Sequence, residues 1–319
     1  MLFWAAGSII PKEVILLVAI FEQVLILITF CLTGFVLCKT KLLNPEHSKP
    51  LSVLLVYVFF PCMSFNTFSS RFTLGYLAEK GSLILVSLGI LLVMFVMATI
   101  VSKLLRGDPY EKNVHHYSMA TSNMGYMGYP LVEAVFGAER LLDCMMFGLP
   151  LSIYIGTVGY NMLTAGKGQK SIWQKIFTPS LIGILLGCAV GISGIQLPQT
   201  VFDIAEMSSN CVAPVSMLLT GMAISQFFIK ELLSNWKVYI ICTVRLIVAP
   251  VLAFGLIKLC GLNFALIPAV ALYAMPCGMN TIVYPKLVEK DCRLGAATVL
   301  ISTALSVITI PLCLHFLLS

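Results

Sequence analysis

Charge is what this chain lacks most. Of its 319 residues only 11% are Asp, Glu, Lys or Arg, while 59% are hydrophobic. So few charges cannot cover a water-soluble body of this size, so most of the surface must face lipid. Cysteine pairing is lacking too. The eleven cysteines, at 31, 38, 62, 144, 188, 211, 242, 260, 277, 292 and 313, form no C-x-x-C pair. They read as small buried hydrophobes, not as metal ligands or a disulfide framework. No G-x-x-x-x-G-K-[ST] loop occurs, and no polar segment is long enough to hold a nucleotide domain, which excludes ATP as a driver. No H-E-x-x-H and no facing pair of catalytic aspartates appears, so neither an enzyme nor a cofactor is expected. Met1–Ile10 has no basic n-region and the first apolar run shows no cleavage pattern, so no signal peptide is expected.

What the chain has is long hydrophobic runs. About 20 apolar residues cross the hydrocarbon of a bilayer. That ruler gives an all-α polytopic protein with ten candidate spans, near Val14–Leu37, Ser48–Phe68, Gly81–Leu104, Val114–Phe136, Leu141–Thr164, Phe177–Ile192, Thr200–Phe227, Trp236–Cys260, Phe264–Val288 and Leu294–Leu317. Fourteen Lys and Arg residues fall in the loops between spans 1–2, 3–4, 5–6, 7–8 and 9–10; five (Lys12, Arg71, Lys80, Arg140, Lys258) fall on the other side. The positive-inside rule then sets both termini outside a plasma membrane, and the net charge of +6 needs no nucleic-acid partner.

Two segments interrupt these runs: Ser122-Asn-Met-Gly-Tyr-Met-Gly-Tyr-Pro130 and Met275-Pro-Cys-Gly-Met-Asn-Thr-Ile-Val-Tyr-Pro285. Gly and Pro free backbone groups that lipid cannot satisfy, so such breaks persist only inside protein or beside a water-filled cavity. One broken span in each half of a chain is the sequence pointer to a transporter's binding site. The halves match in other ways. Pro61 and Pro214 are followed by Ser64 and Ser216, and Asn123 and Pro276 each come 62 residues after the corresponding proline. A division into 1–165 and 166–319, two five-span repeats of opposite orientation, follows, with the join at Lys167–Lys175.

The candidate binding residues are those of the breaks: Asn123, Gly125, Gly128, Pro130, Pro276, Gly278 and Asn280. Each half-helix would present a positive N-terminal end there, and two such ends favour a carboxylate without a cationic side chain. Asn66 and Ser69, near the outer end of the second span, are candidate wall contacts. Arg245 lies about 13 Å inside the eighth span, where a charge needs a partner or a role. It is read as an anion-attracting or charge-balancing group, or else as snorkelling to the surface. Glu22 and Glu133 are candidate proton acceptors, or else satisfied carboxyls. His115 and His116 read as surface residues at a span end.

Asn123-x-x-x-x-Gly128-x-Pro130-Leu131 followed by Phe136-Gly137 resembles the fourth span of the auxin efflux carrier family. Pro61-Cys-Met-Ser-Phe65, the segment at Met275-Pro276, and Ile301-Ser-Thr-Ala-Leu-Ser-Val-Ile-Thr-Ile-Pro311 resemble its second, ninth and tenth spans. The resemblance implies crossed, unwound helices 4 and 9, a homodimer, and elevator-like transport of a small organic anion. Tyr284-Pro285 stands where bacterial relatives carry a small residue, so a longer ninth-helix break is expected. A cation/proton antiporter on a similar broken-helix plan is the alternative, with Glu133 as its carboxylate.

Overall fold

The computed structural model describes residues 12–167, 171, 173–174 and 177–318, which are mostly helical with no strand among them. The start of the chain and part of the proposed join, Gly168, Lys170 and Lys175 included, lie outside the described residues. Among the described residues seven helices are long and apolar enough to cross a membrane, and Pro179–Ser193 and Asn263–Ala274 are shorter apolar ones. The longest, Met124–Thr164, has 41 residues, about 60 Å if straight and twice a bilayer core. Gly137, at φ 83° and ψ 171°, folds it into two arms between the expected fourth and fifth spans. The expected seventh span is also divided, into Gln199–Asn210 and Val212–Ile224.

Proline shapes several of these helices. Three π turns each end two residues before one: Leu55–Phe59 before Pro61, Met124–Gly128 before Pro130, and Val244–Val248 before Pro250. Proline has no N–H for the i−4 carbonyl and its ring crowds that oxygen, so the ladder ahead of it widens by one residue.

Glycine then lets the helices meet backbone to backbone. Gly183, Gly187 and Gly191 form a stripe on Pro179–Ser193, and a Cβ at any of them would lie 2.3–2.7 Å from atoms of Pro61 or Phe68 on the Phe60–Arg71 helix or of Phe72 just past its end. Gly34 and Gly221 play the same part between Lys12–Lys39 and Val212–Ile224, against Leu218 and Cys31. Close approach through small residues is how helices associate in lipid, where no hydrophobic gain separates tail from side chain.

The contacts sort the helices into two bundles. Lys12–Lys39, Phe60–Arg71, Pro179–Ser193 and the pair Gln199–Asn210 and Val212–Ile224 form one. Leu83–Leu104, Pro109–Ala120, the Met124–Thr164 arms, Trp236–Leu259, Leu266–Ala274, Asn280–Lys286 and Arg293–Leu318 form the other. The bundles meet where Lys12–Lys39 packs on Arg293–Leu318 and where Val212–Ile224 packs on Met124–Gly128. Each bundle draws on both halves of the sequence.

Candidate functional site

Two helices of the second bundle stop in its middle. Pro109–Ala120 ends at Thr121, which is extended at φ −115° and ψ 153°, and Leu266–Ala274 ends at Met275, extended at φ −69° and ψ 150°. The two extended pieces cross antiparallel, with Ser122 bridged to Cys277 and the Asn123 N–H donating to the Pro276 carbonyl at 2.8 Å. A Cβ on Gly278 would sit 3.3 Å from the Ser122 carbonyl oxygen, and one on Gly128 3.1 Å from Met275 Cγ. The crossing is therefore tight enough to favour glycine at both places.

The breaks are shorter than the sequence suggests. In the first, the helix resumes at Met124, so Pro130 lies inside the resumed helix, two residues past its π turn, and not in the break. Proline is tolerated there because the turn ahead of it is widened and the carbonyl it cannot serve finds another donor. In the second, Asn280–Lys286 is helical straight through Pro285, so the expected longer break does not occur.

Carbonyls freed by the crossing need donors, and Arg245 serves four of them. Its side chain is fully buried; Nε donates to Met275 O at 3.0 Å, Nη1 to Met119 O at 3.2 Å, and Nη2 to Leu272 O and Tyr273 O at 3.1 and 3.2 Å. Those oxygens end the two incoming half-helices, where the helix dipoles are negative. The guanidinium also lies 5.3 Å from the Tyr273 ring. It points into the crossing instead of snorkelling to the surface. Ser216 Oγ donates to Tyr126 O at 2.6 Å, the carbonyl to which Pro130 can give no N–H. The Cys277 N–H donates to Ser302 Oγ at 3.0 Å.

The donors are less fully engaged. Among the described residues the N–H groups of Met124, Gly125 and Tyr126, and of Met279 and Asn280, donate to no protein group. The Ser122 hydroxyl is buried without a partner, and the buried Tyr117 hydroxyl faces Asn280 and Thr121. Asn123 is 3% exposed and does not cap the helix that follows it. The crossing thus gathers more donors than the protein uses.

Asn123, Gly125, Gly128, Pro276, Gly278 and Asn280 all come together here. Other candidates do not. Ser69 packs at the glycine stripe, with its N 3.1 Å from where a Gly187 Cβ would be, and Ser69 and Ser70 hydroxyls bond the Asn66 carbonyl. Glu22 is exposed on the face of Lys12–Lys39 that also bears Phe21, Leu25 and Ile26. Glu133 and Pro130 line a cavity of about 300 Å³ with Gln23, Met63, Ser209, Asn210 and Ala213. A second groove, about 430 Å³ and almost wholly apolar, lies on the other bundle between Pro61, Phe65, Gly183 and Ile204. His115 and His116 are buried, contrary to the surface reading. His116 bonds Phe95 O and Tyr154 OH at 3.2 and 3.3 Å, and both ring nitrogens of His115 lack partners. Sequence reasoning passed over Tyr117, Ser302, Gln23, Ser209 and Asn210, which carry no helix-breaking or charge signal.

A family model described as membrane transport protein matches residues 19–172 and again 165–314. The chain belongs to that family. This bears out the resemblance to the auxin efflux carriers. Among relatives, a protein of Methanocaldococcus jannaschii named an uncharacterized transporter is 28% identical over 91% of this chain and 96% of its own length. One of the same description from Methanothermobacter thermautotrophicus is 23% identical over 91% and 96%. A Rhizobium meliloti protein provisionally named a malonate transporter is 24% identical over 84% of this chain and 87% of its own. For a membrane transport protein the crossing has the right ingredients: irregular backbone held inside protein, with unspent donors.

Proposed function

We propose that this membrane transport protein is a secondary carrier of small organic anions, moving them by an elevator-like alternation of access. The observation that carries the reading is the antiparallel meeting of Ser122 with Cys277. It brings the N-terminal ends of Met124–Gly128 and Asn280–Lys286 to one place, with Arg245 occupied at the opposite, carbonyl-rich ends. A carboxylate would take the free N–H groups and the Asn123 and Asn280 amides, with Gly125, Gly128, Pro130, Pro276 and Gly278 shaping the approach. The name of the Rhizobium relative makes malonate the first probe.

The ten spans are read as inverted repeats, 1–165 and 166–319. Two findings support this: the family model matches twice in tandem, and each half gives its first two spans to one bundle and its last three to the other. The Lys12–Lys39 bundle, with Asn66 and Ser69 in its wall, is the scaffold; the bundle with the crossing is the moving part. A homodimer in the plasma membrane with both termini outside completes the proposal. Of the groups proposed for charge or proton coupling, Glu133 lines a cavity between the bundles, Arg245 braces the crossing, and Glu22 is exposed. Glu133 is also what favours the second reading, a cation/proton antiporter.

Reconstitution in liposomes tests this. Saturable uptake of a mono- or dicarboxylate, lost in Asn123→Ala, is expected. Silence to every carboxylate with exchange of protons for Na⁺ or K⁺ would replace the reading by the antiporter.

A further inference from the structure

The cavity beside Pro130 is built of polar groups that the protein leaves unused. Gln23 comes from Lys12–Lys39, Ser209 and Asn210 from the end of Gln199–Asn210, and Glu133 from the turn after Pro130. Among the described residues, none of these four side chains hydrogen-bonds another protein group, and no ion pair within 4 Å reaches Glu133. Ser209 is 7% exposed, Gln23 and Glu133 are half-buried, and Asn210 is exposed. Polar side chains that no protein group engages are open to a ligand. Four of them, from three helices and from both bundles, facing one space of about 300 Å³, make a ligand site.

The donor atoms define the ligand. Two amide oxygens, one hydroxyl and one carboxylate form an all-oxygen set, which suits a hard cation and not a soft or imidazole-seeking metal. One carboxylate balances one positive charge. The charged groups nearest Glu133 are Glu206 and Arg71, of opposite sign and both exposed, so they add no net negative charge for a divalent ion. No cluster of three or more His, Cys, Asp or Glu occurs among the described residues. We propose that this cavity is a binding site for a hard monovalent metal cation, held by Glu133, Gln23, Ser209 and Asn210. Because its walls belong to both bundles, occupancy biases how they sit against each other, and in the carrier the cation is the coupling ion. The coupling role rests on the carrier reading; the binding site does not.

Thermal unfolding of the purified full chain tests it without any organic anion. NaCl, KCl or MgCl₂ replaces choline chloride at constant ionic strength, at one pH below and one above neutrality. The site predicts a saturable rise in Tm with Na⁺ or K⁺, about 5 °C at a hundredfold excess over Kd, equal at the two pH values when saturated. Glu133→Gln abolishes the rise and Asn210→Ala weakens it; if Glu133→Gln does not fold, Gln23→Ala takes its place. A Tm that follows pH but not the cation would overturn the proposal in favour of a proton. So would a larger effect of Mg²⁺, or no response to any of these. A parallel series with malonate in choline chloride reads the crossing separately, so failure of the cation site and failure of the carrier reading are told apart.

Discussion

Four carbonyl oxygens surround the Arg245 guanidinium where a carboxylate partner would be expected. The reason is that both interrupted helices end beside it, and their unpaired oxygens are partners enough for a buried cation. Arg245→Gln leaves several of those oxygens buried and unbonded, so a loss of about 3 kcal/mol or more is expected, seen as lowered Tm and poor recovery of folded protein. An Arg245→Gln variant with wild-type Tm and only weakened anion binding would make the residue an anion contact instead. Ser216→Ala removes the donor to Tyr126 O and should cost about 1 kcal/mol, checked in the same assay. Asn123→Ala removes an amide expected to face a carboxylate, and a charged hydrogen bond of about 1.5–3 kcal/mol corresponds to a 10- to 100-fold weaker Kd. At this scale the sequence was readable where a residue is out of place in lipid, as Asn123, Pro276 and Arg245 are. It was unreadable where direction decides. Glu22 and Gln23 are neighbours in a uniformly apolar helix with no amphipathic cue, and one is exposed while the other lines the cavity.

Helices in this protein are interrupted by two different devices. Proline widens a turn without ending the helix, as at Leu55–Phe59 and Val244–Val248. A full break needs non-helical residues paired across the bundle, as at Thr121–Asn123 and Met275–Gly278. That is why the sequence located both broken segments but set their ends too far along: Pro130 and Pro285 looked like breakers and are helical. The pairing partner, supplied by a segment some 150 residues away, has no local signature. Glycine packing was equally silent, although Gly183, Gly187 and Gly191 recur every fourth residue. Gly187→Leu would push into Phe68 and the Phe65 carbonyl, and should lower Tm far more than Gly255→Leu on Ala249–Leu259, where nothing lies within 4 Å of the added Cβ. Equal Tm values for the two would show that the helices are free to part.

At the scale of the molecule, hydropathy was enough to set out an all-helical membrane protein, because it reports directly on lipid. The grouping into two bundles was not in the sequence, since it depends on contacts between distant helices such as Lys12–Lys39 with Val212–Ile224. Two consequences can be measured. Tags at either end should be reached from outside intact cells, as fourteen basic loop residues against five require; labelling only after permeabilisation would invert the orientation. Ala134 and Ala213 face the same cavity from the two bundles. Cysteines at both positions, joined by a short cross-linker in a background without the native cysteines, should stop transport while leaving carboxylate binding in place. Undiminished transport after complete cross-linking would remove the sliding movement.

The central claim is that the crossing of the two breaks holds a carboxylate, and equilibrium binding tests it more directly than flux. Radiolabelled malonate is titrated onto the purified protein, alongside Asn123→Ala and a Gly278→Ala variant that narrows the crossing against Ser122. The account predicts saturable binding to the wild type, weakened at least tenfold in Asn123→Ala and weakened in Gly278→Ala, with unlabelled carboxylates competing. Binding of equal strength in all three proteins would place the carboxylate elsewhere, and the crossing would then be a structural knot and not the site.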